Sequence, residues 1–172
     1  MNLDLDDLEQ EQVSYILKKL AQDDVSIAGR IQEIIKQLDS HLDATKIADE
    51  LFEVLDAIDV EDLWHQSGST RYGYVEPCEK AYEMVEDAIS PFIKKLSKYL
   101  SKSMWEESKV MSIGIVKGLY EFDSHSESEF KDWAPDVVDE MVGNVIDEWK
   151  DHCKNQALVD EIEKIIAEFD SR

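Results

Sequence analysis

Pairs of carboxylates at helical spacing are the first pattern in this sequence that could do chemistry. They are Glu76 with Glu79, Glu83 with Glu86, and the group Asp136, Asp139 and Glu140. Residues three or four apart share one face of a helix, so such pairs on facing helices could hold magnesium. A magnesium-dependent nucleotide hydrolase is therefore one alternative function. With 40 acidic residues in the chain, however, pairs of this kind also arise by chance.

The histidines and cysteines give little support for another metal site. They are His41, His65, His125, His152, Cys78 and Cys153. Only His152 and Cys153 are neighbours, and adjacent residues point to different faces of a helix. Structural zinc sites are instead built from close ligand pairs. No Gly-x-Ser-x-Gly, Walker or Rossmann motif occurs either, so we expect no metal, no cofactor, no catalytic residue and a non-enzymatic function.

The segment Gly68–Pro77 is the first candidate for binding a ligand or partner. It combines Arg71, one of three arginines in the chain, with Tyr72 and Tyr74. A guanidinium group grips carboxylates or phosphates at two points and stacks on aromatic rings. The alternative is structural: Arg71 pairs with an acidic neighbour and the tyrosines fill a joint between two halves of the chain.

A local excess of lysine is the second candidate. Six lysines fall between residues 88 and 120, against two acidic residues: Lys94, Lys95, Lys98, Lys102, Lys109 and Lys117. Within this set Lys94, Lys98 and Lys102 are spaced four apart and share the outward face of a helix. This stripe could bind an acidic partner or a second copy of the chain in a homodimer. It could also complement acidic helices of its own chain.

The net charge limits the classes of partner. The chain carries a formal charge of -22 and has a pI of about 4.3. Such a field repels phosphates and anionic lipids, so we expect no direct nucleic-acid binding and no membrane association. The longest uncharged apolar stretch, Val110–Val116, is far shorter than the roughly 20 residues of a membrane span. With no secretory leader in the sequence, we expect a cytoplasmic protein. A further alternative is an acidic nucleic-acid mimic that binds a basic protein.

Apolar residues recur every three or four positions throughout, which predicts an all-α protein. Helices are expected over about 6–22, after Asp24, which can cap a first turn, and after Asp43. The helix after Asp43 either continues through Trp64 or restarts at Asp59. Pro77 should begin a helix, and Ser90-Pro91 should end or kink it. Further helices are expected near 92–102, from Pro135 and around 158–169.

The helix of about 104–122 is apolar on most of its circumference and should be central. A capping box at Ser103–Glu106 should open it, and an acidic loop, 123–132, should follow it. Gly114 and Gly118 would let a neighbouring helix approach its backbone closely.

Short helices with short connections indicate an irregular stack of antiparallel helical hairpins, α-α superhelix-like or armadillo-like, or a closed helix bundle. We place an N-terminal half at 1–66, a linking loop at 67–77 and a C-terminal half at 78–172, together forming one compact domain. No fixed repeat period is present, although the hairpins are repeat-like.

Several residues match a known helical region. They include Arg71 to Val75, Ala81-Tyr82, Val85, Ala88-Ile89 and Leu119 to Ser124. Over about residues 70–130 the chain resembles the helical region found C-terminal to SWIM-type zinc fingers. The chain departs from that family because two cysteines cannot supply the zinc finger itself. The resemblance implies a superhelix-like platform and carries no catalytic residues across. We therefore expect a helical scaffold that mediates protein–protein interaction.

Overall fold

The computed structural model describes residues 8–39, 42–71 and 73–170, and within them the protein is all-α, as predicted. The helices are α1 Gln10–Asp23, α2 Val25–Asp39, α3 Ala44–Asp56, α4 Val60–Gln66, α5 Pro77–Ser101, α6 Trp105–His125, α7 Val137–His152 and α8 Gln156–Asp170. A short antiparallel hairpin, β1 Gly68–Thr70 and β2 Gly73–Val75, and a 3-10 helix, Glu129–Trp133, complete the described elements. None of the described helices combines the length and the apolar character that crossing a bilayer requires.

The chain divides into two compact units, residues 1–41 and 42–172. In the first unit, α1 and α2 form a helical hairpin. Asp24 separates the two helices, and its Oδ1 accepts a hydrogen bond of 2.7 Å from the backbone N–H of Ser26. This bond satisfies a donor that the first turn of α2 cannot pair internally, which confirms the predicted cap.

In the second unit α6 is the central helix, in contact with α3, α5, α7 and α8. The closest approach is that of α3. A Cβ atom added to Gly114 would lie 2.6 Å from the Cβ of Ile47, and one added to Gly118 would lie 2.8 Å from the carbonyl oxygen of Ala48. The predicted role of the two glycines is confirmed, because any larger residue would force α3 away.

The core of the second unit is apolar, with one buried hydrogen bond between side chains among the described residues. Trp149 on α7 is fully buried, and its Nε1 donates to the Oγ of Ser112 on α6 at 2.8 Å. A buried indole N–H without an acceptor is costly, so this bond fixes which face of α6 meets α7.

Two predictions about helix ends are wrong: Ser90-Pro91 does not end a helix, and Ser103 does not begin one. The other predicted outcome at Pro91, a kink, stays a prediction. Helix α5 continues through Pro91, which is exposed, so the backbone carbonyl that loses its donor can be hydrated. Ser103 does not cap α6. It adopts φ 56°, and the N–H groups of Ser103 and Met104 donate to the carbonyls of Leu100 and Tyr99. These two bonds form a Schellman motif that ends α5.

The predicted acidic loop, 123–132, is also partly wrong. Residues 123–125 extend α6, and the 3-10 helix begins at Glu129. Phe130 is fully buried within that 3-10 helix. Burial of one aromatic ring thus orders a segment whose composition is polar.

Candidate functional site

The hairpin β1–β2 presents two of the predicted partner-binding residues. Gly68 and Gly73 have φ values of 83° and 140°, a left-handed backbone that glycine adopts readily. The strands pair Ser69 with Tyr74, and Arg71 lies at the turn between them. Both Arg71 and Tyr74 are exposed, the latter by 63%. The side chain of Tyr72 lies outside the described residues.

Trp64, which precedes this hairpin in the chain, belongs to an aromatic pair. Trp64 on α4 meets Trp133 of the 3-10 helix edge to face, with ring centroids 4.5 Å apart and an interplanar angle of 80°. Although it is packed on one side, Trp64 remains 48% exposed. Trp64 and the hairpin lie within residues 64–75, which we call the aromatic segment. The sequence does not distinguish Trp64 as a surface residue, because its position fits the apolar stripe of a helix equally well.

Five of the six lysines separate into two groups, and the sixth, Lys95, has its Nζ 6.0 Å from the centre of the Tyr99 ring. Lys109 is largely buried, and its Nζ lies 2.9 Å from Glu161 and 3.6 Å from Glu106. The hydrogen bond to Glu161 raises the pKa of Lys109, against the opposing effect of burial. Lys117 lies 3.6 Å from Glu121. These two lysines therefore complement acidic groups of their own chain, as the alternative interpretation expected.

The other group is the predicted stripe of Lys94, Lys98 and Lys102, all three exposed on α5. Among the residues that the structure describes, no ion pair involves them. Lys94 also lines a groove of about 390 Å³ between α5 and α7. The acidic residues along that groove are Glu86, Asp147, Glu148 and Asp151, so the local field there is negative despite the lysine.

A serine, a histidine and a glutamate meet across α5 and α7 in an order that resembles a nucleophilic triad. The Oγ of Ser97 lies 3.5 Å from Nε2 of His152, and Nδ1 of His152 lies 3.5 Å from Oε2 of Glu148. Nδ1 is closer, at 3.0 Å, to the backbone carbonyl of Glu148. The sequence shows only the spacing of Glu148 and His152; nothing in it connects Ser97 to them.

This arrangement does not support acyl transfer. An oxyanion needs backbone N–H donors directed at the reacting atom. Ser97 lies in the interior of α5, where the helix uses those donors itself. The two contacts of His152 with side chains are also longer than a good hydrogen bond. The cluster is best described as polar packing between two helices.

The predicted carboxylate pairs do not converge in the described part of the chain. Glu79 and Glu83 are exposed on α5, and Glu83 bonds to Lys80 at 2.9 Å. Asp136 and Glu140 face Tyr82, whose phenol has a pKa raised first by burial and further by these two carboxylates. Over residues 8–39, 42–71 and 73–170, no group of three or more histidine, cysteine or acidic side chains is placed to hold a metal ion.

Another cleft, of about 560 Å³, lies among α6, α7 and α8. Its polar lining includes Lys117, Glu121, Asp123, His125 and Asp139. The ion pair of Lys117 and Glu121 occupies part of this surface. The cleft is therefore acidic and open, without a convergent set of catalytic groups.

Comparison of the chain with models of protein families, with curated proteins and with solved structures finds no match. The resemblance to the region C-terminal to SWIM-type zinc fingers therefore stays a prediction.

Proposed function

We propose that this protein is a non-enzymatic helical scaffold that binds a protein partner through the aromatic segment. The observation that carries the proposal is the half-exposed indole of Trp64, held against Trp133 at 4.5 Å. Tryptophan, tyrosine and arginine are the residues that most often dominate protein interfaces. An aromatic ring already fixed by its neighbour loses little conformational freedom on binding.

The charges around the segment define the chemistry of the partner. Exposed carboxylates precede the hairpin on α4 and flank Trp133: Asp59, Glu61, Asp62, Glu129 and Asp132. A partner that fits has an apolar recess for the indole and a rim of basic side chains. Attraction between these carboxylates and the basic rim of the partner should accelerate association at low salt. It should contribute less to the lifetime of the complex.

The proposal can be tested by comparing the proteins captured by the native chain and by three variants. Tyr74→Ala and Trp64→Ala remove aromatic rings from the segment. Val54→Ala removes an exposed apolar side chain from α3 and serves as the matched control. A true partner should be captured by the native chain and by Val54→Ala, and should be lost with both aromatic variants.

The partner identified in this way is then purified and titrated. Each aromatic substitution should raise Kd by at least about tenfold, the usual effect of a dominant interface residue. Circular dichroism should show that both variants retain their helices. If no captured protein depends on Tyr74 and Trp64 while being retained by Val54→Ala, the proposal is wrong.

The two alternative functions, a nucleic-acid mimic and a magnesium-dependent hydrolase, predict different results with the same purified protein. An acidic nucleic-acid mimic would capture DNA-binding proteins and release them when DNA is added. A magnesium-dependent hydrolase would turn over nucleotides, and Glu79→Gln or Glu83→Gln would abolish that turnover. The location in the cytoplasm stays a prediction.

A further inference from the structure

The groove between α5 and α7 has an apolar floor and acidic walls. Its floor is formed by Ile89, Ile93 and Met141, and both Ile89 and Met141 are almost completely buried. The charged side chains that line the groove are Glu86 and Lys94 on α5 and Asp147, Glu148 and Asp151 on α7. Four acidic groups and one basic group give the groove a net charge of -3. A cation with apolar parts therefore fits the chemistry of the groove.

Most of the carboxylates of the groove have no cationic partner in the protein. Among the ion pairs of the described residues, none includes Glu86, Asp147 or Asp151. Lys150, which is next to Asp151 in the chain, bonds instead to Glu163 at 3.0 Å. These three carboxylates can therefore bind a cation from outside the chain.

Glu148 has an unmet hydrogen-bonding demand at the same groove. Its Oε2 is buried and has no hydrogen-bond partner within the part of the chain that the structure describes. Nδ1 of His152 lies 3.5 Å from this oxygen but 3.0 Å from the backbone carbonyl of Glu148. Because a carbonyl can only accept, it takes the proton of Nδ1 and leaves Oε2 without a donor. A cation in the groove would compensate the charge of this carboxylate.

The separation of the carboxylates selects the kind of cation. Divalent metal ions need several ligands that converge on one point, at about 2–2.6 Å. Over residues 8–39, 42–71 and 73–170, no three acidic, histidine or cysteine side chains converge in this way. Asp147 and Asp151 are about one helical turn apart on α7, and Glu86 lies on the other wall. The groove therefore matches a cation whose own charges are separated.

We propose that this groove binds a linear polyamine, in which methylene chains separate the ammonium groups. The methylene chains lie on the apolar floor, and the ammonium groups bond to the carboxylates of the two walls. Along α5 the lining extends from Glu86 to Lys94, about 12 Å of helix, which is comparable to the length of an extended triamine such as spermidine. The volume of about 390 Å³ is typical of small-molecule sites. This groove is separate from the aromatic segment, and the inference is independent of the proposed function.

Isothermal titration calorimetry of the full chain with spermidine tests the proposal. In about 0.1 M sodium chloride, which screens distant charges, we expect a Kd on the order of 0.1–1 mM. Asp147→Asn/Asp151→Asn should raise Kd at least about fivefold, because two contacts with ammonium groups are lost. The matched control is Asp49→Asn/Glu53→Gln, an exposed pair with the same spacing on α3. It removes the same charge away from the groove and should change Kd by less than about twofold.

Lys94→Gln should change Kd in the opposite direction. Lys94 repels a cation in the groove, so its removal should lower Kd by about two- to fivefold. Loss of structure cannot produce such a gain in affinity. Circular dichroism should show that every variant retains its helices. In the native chain, spermidine should shift the amide resonances of α5 and α7 more than those of other helices.

Three results would overturn the proposal. The first is a Kd above about 10 mM for the native chain. The second is equal weakening by the two acidic double variants, which would show a general attraction to an acidic surface. The third is an unchanged or higher Kd for Lys94→Gln, which would place the ligand outside the groove.

Trilysine distinguishes a polyamine from the lysine side chains of a partner protein, which carry the same chemical group. Spermidine should bind at least as tightly as trilysine. If trilysine binds at least about tenfold more tightly, with the same dependence on the three variants, the occupant is a basic protein segment and the polyamine proposal is wrong.

Discussion

The hydrogen bond between Ser112 and Trp149 is the one buried link between polar side chains that the described core contains. Both residues are fully buried, on α6 and α7 respectively. The hydroxyl accepts from an indole N–H that water cannot reach. Its contribution is therefore mainly the avoidance of an unpaired donor.

Replacing Ser112 with alanine should lower the free energy of unfolding by about 1–3 kcal/mol, because the indole N–H then stays buried without an acceptor. Urea unfolding followed by tryptophan fluorescence measures this change. All four tryptophans, Trp64, Trp105, Trp133 and Trp149, lie in the second unit. The signal therefore reports on that unit alone.

Ser108→Ala is the control, at an equally buried serine of the same helix. The Ser108 hydroxyl donates to the carbonyl of Met104, which also accepts from the Ser108 backbone N–H. Removing the hydroxyl leaves every buried group paired, so the loss should be smaller by about 1 kcal/mol or more. If both variants lose the same free energy of unfolding, the hydrogen bond of the indole contributes no more than that of the Ser108 hydroxyl.

At the residue scale, the sequence predicts local bonds well and distant ones poorly. The caps formed by Asp24, Asp43 and Asp59 join groups two residues apart. The cap at Asp24 was predicted, and a helix start was placed at or after the other two aspartates. Ser112 meets Trp149, and Ser97 meets His152, across separations of 37 and 55 residues. No local pattern identifies such partners, because they depend on how helices pack.

At the scale of elements, the contact of α3 with α6 depends on two glycines. Gly118 leaves no room for a Cβ atom beside the backbone of Ala48, and Gly114 leaves none beside Ile47. Backbone atoms cannot move aside as the end of a flexible side chain can. The separation of the two helices is therefore set by Gly118 in particular.

Gly118→Ala should lower the melting temperature, with a loss of stability of about 1–3 kcal/mol, because the added methyl group clashes with α3. Gly143→Ala is the matched control on α7, where an added Cβ meets nothing within 4 Å. There alanine should stabilise the helix by about 0.5–1 kcal/mol. Calorimetry of both variants measures the two shifts, and shifts of the same sign would contradict this account of the contact.

Sequence patterns located most of the elements but misplaced some of their ends. The pair Gly114 and Gly118 predicted a close helix contact because its spacing is local. The capping box at Ser103 was wrong because the same residue completes the Schellman motif of α5. The 3-10 helix after Ser128 depends on the burial of Phe130, which the polar composition of the segment conceals. The exposure of Trp64 depends on tertiary packing in the same way.

At the scale of the whole molecule, the net charge of -22 opposes the compact state through repulsion among its carboxylates. Few of these charges are neutralised by the ion pairs of the described residues, which involve mainly Lys80, Lys109, Lys117 and Lys150. Stability should therefore depend on screening by salt.

Raising sodium chloride from about 0.02 M to about 0.5 M shortens the screening length severalfold and should raise Tm. A gain of about 1 kcal/mol corresponds to about 2–4 °C for a chain of this size. Thermal unfolding followed by tryptophan fluorescence measures the shift for the second unit, and potassium chloride should give the same result. A Tm that stays constant or falls with salt would show that repulsion is not a significant cost.

Pro91 has a consequence for the backbone of α5. A proline carries no N–H, so the backbone carbonyl of Asp87 lacks the hydrogen-bond donor that residue 91 would supply in an ordinary helix. The exposure of Pro91 allows a water molecule to bond there instead. The longest of the described helices therefore lacks one backbone hydrogen bond, that between residues 87 and 91, while its neighbouring bonds continue across this position. Bending of α5 should concentrate at this missing bond, beside the groove that the helix shares with α7.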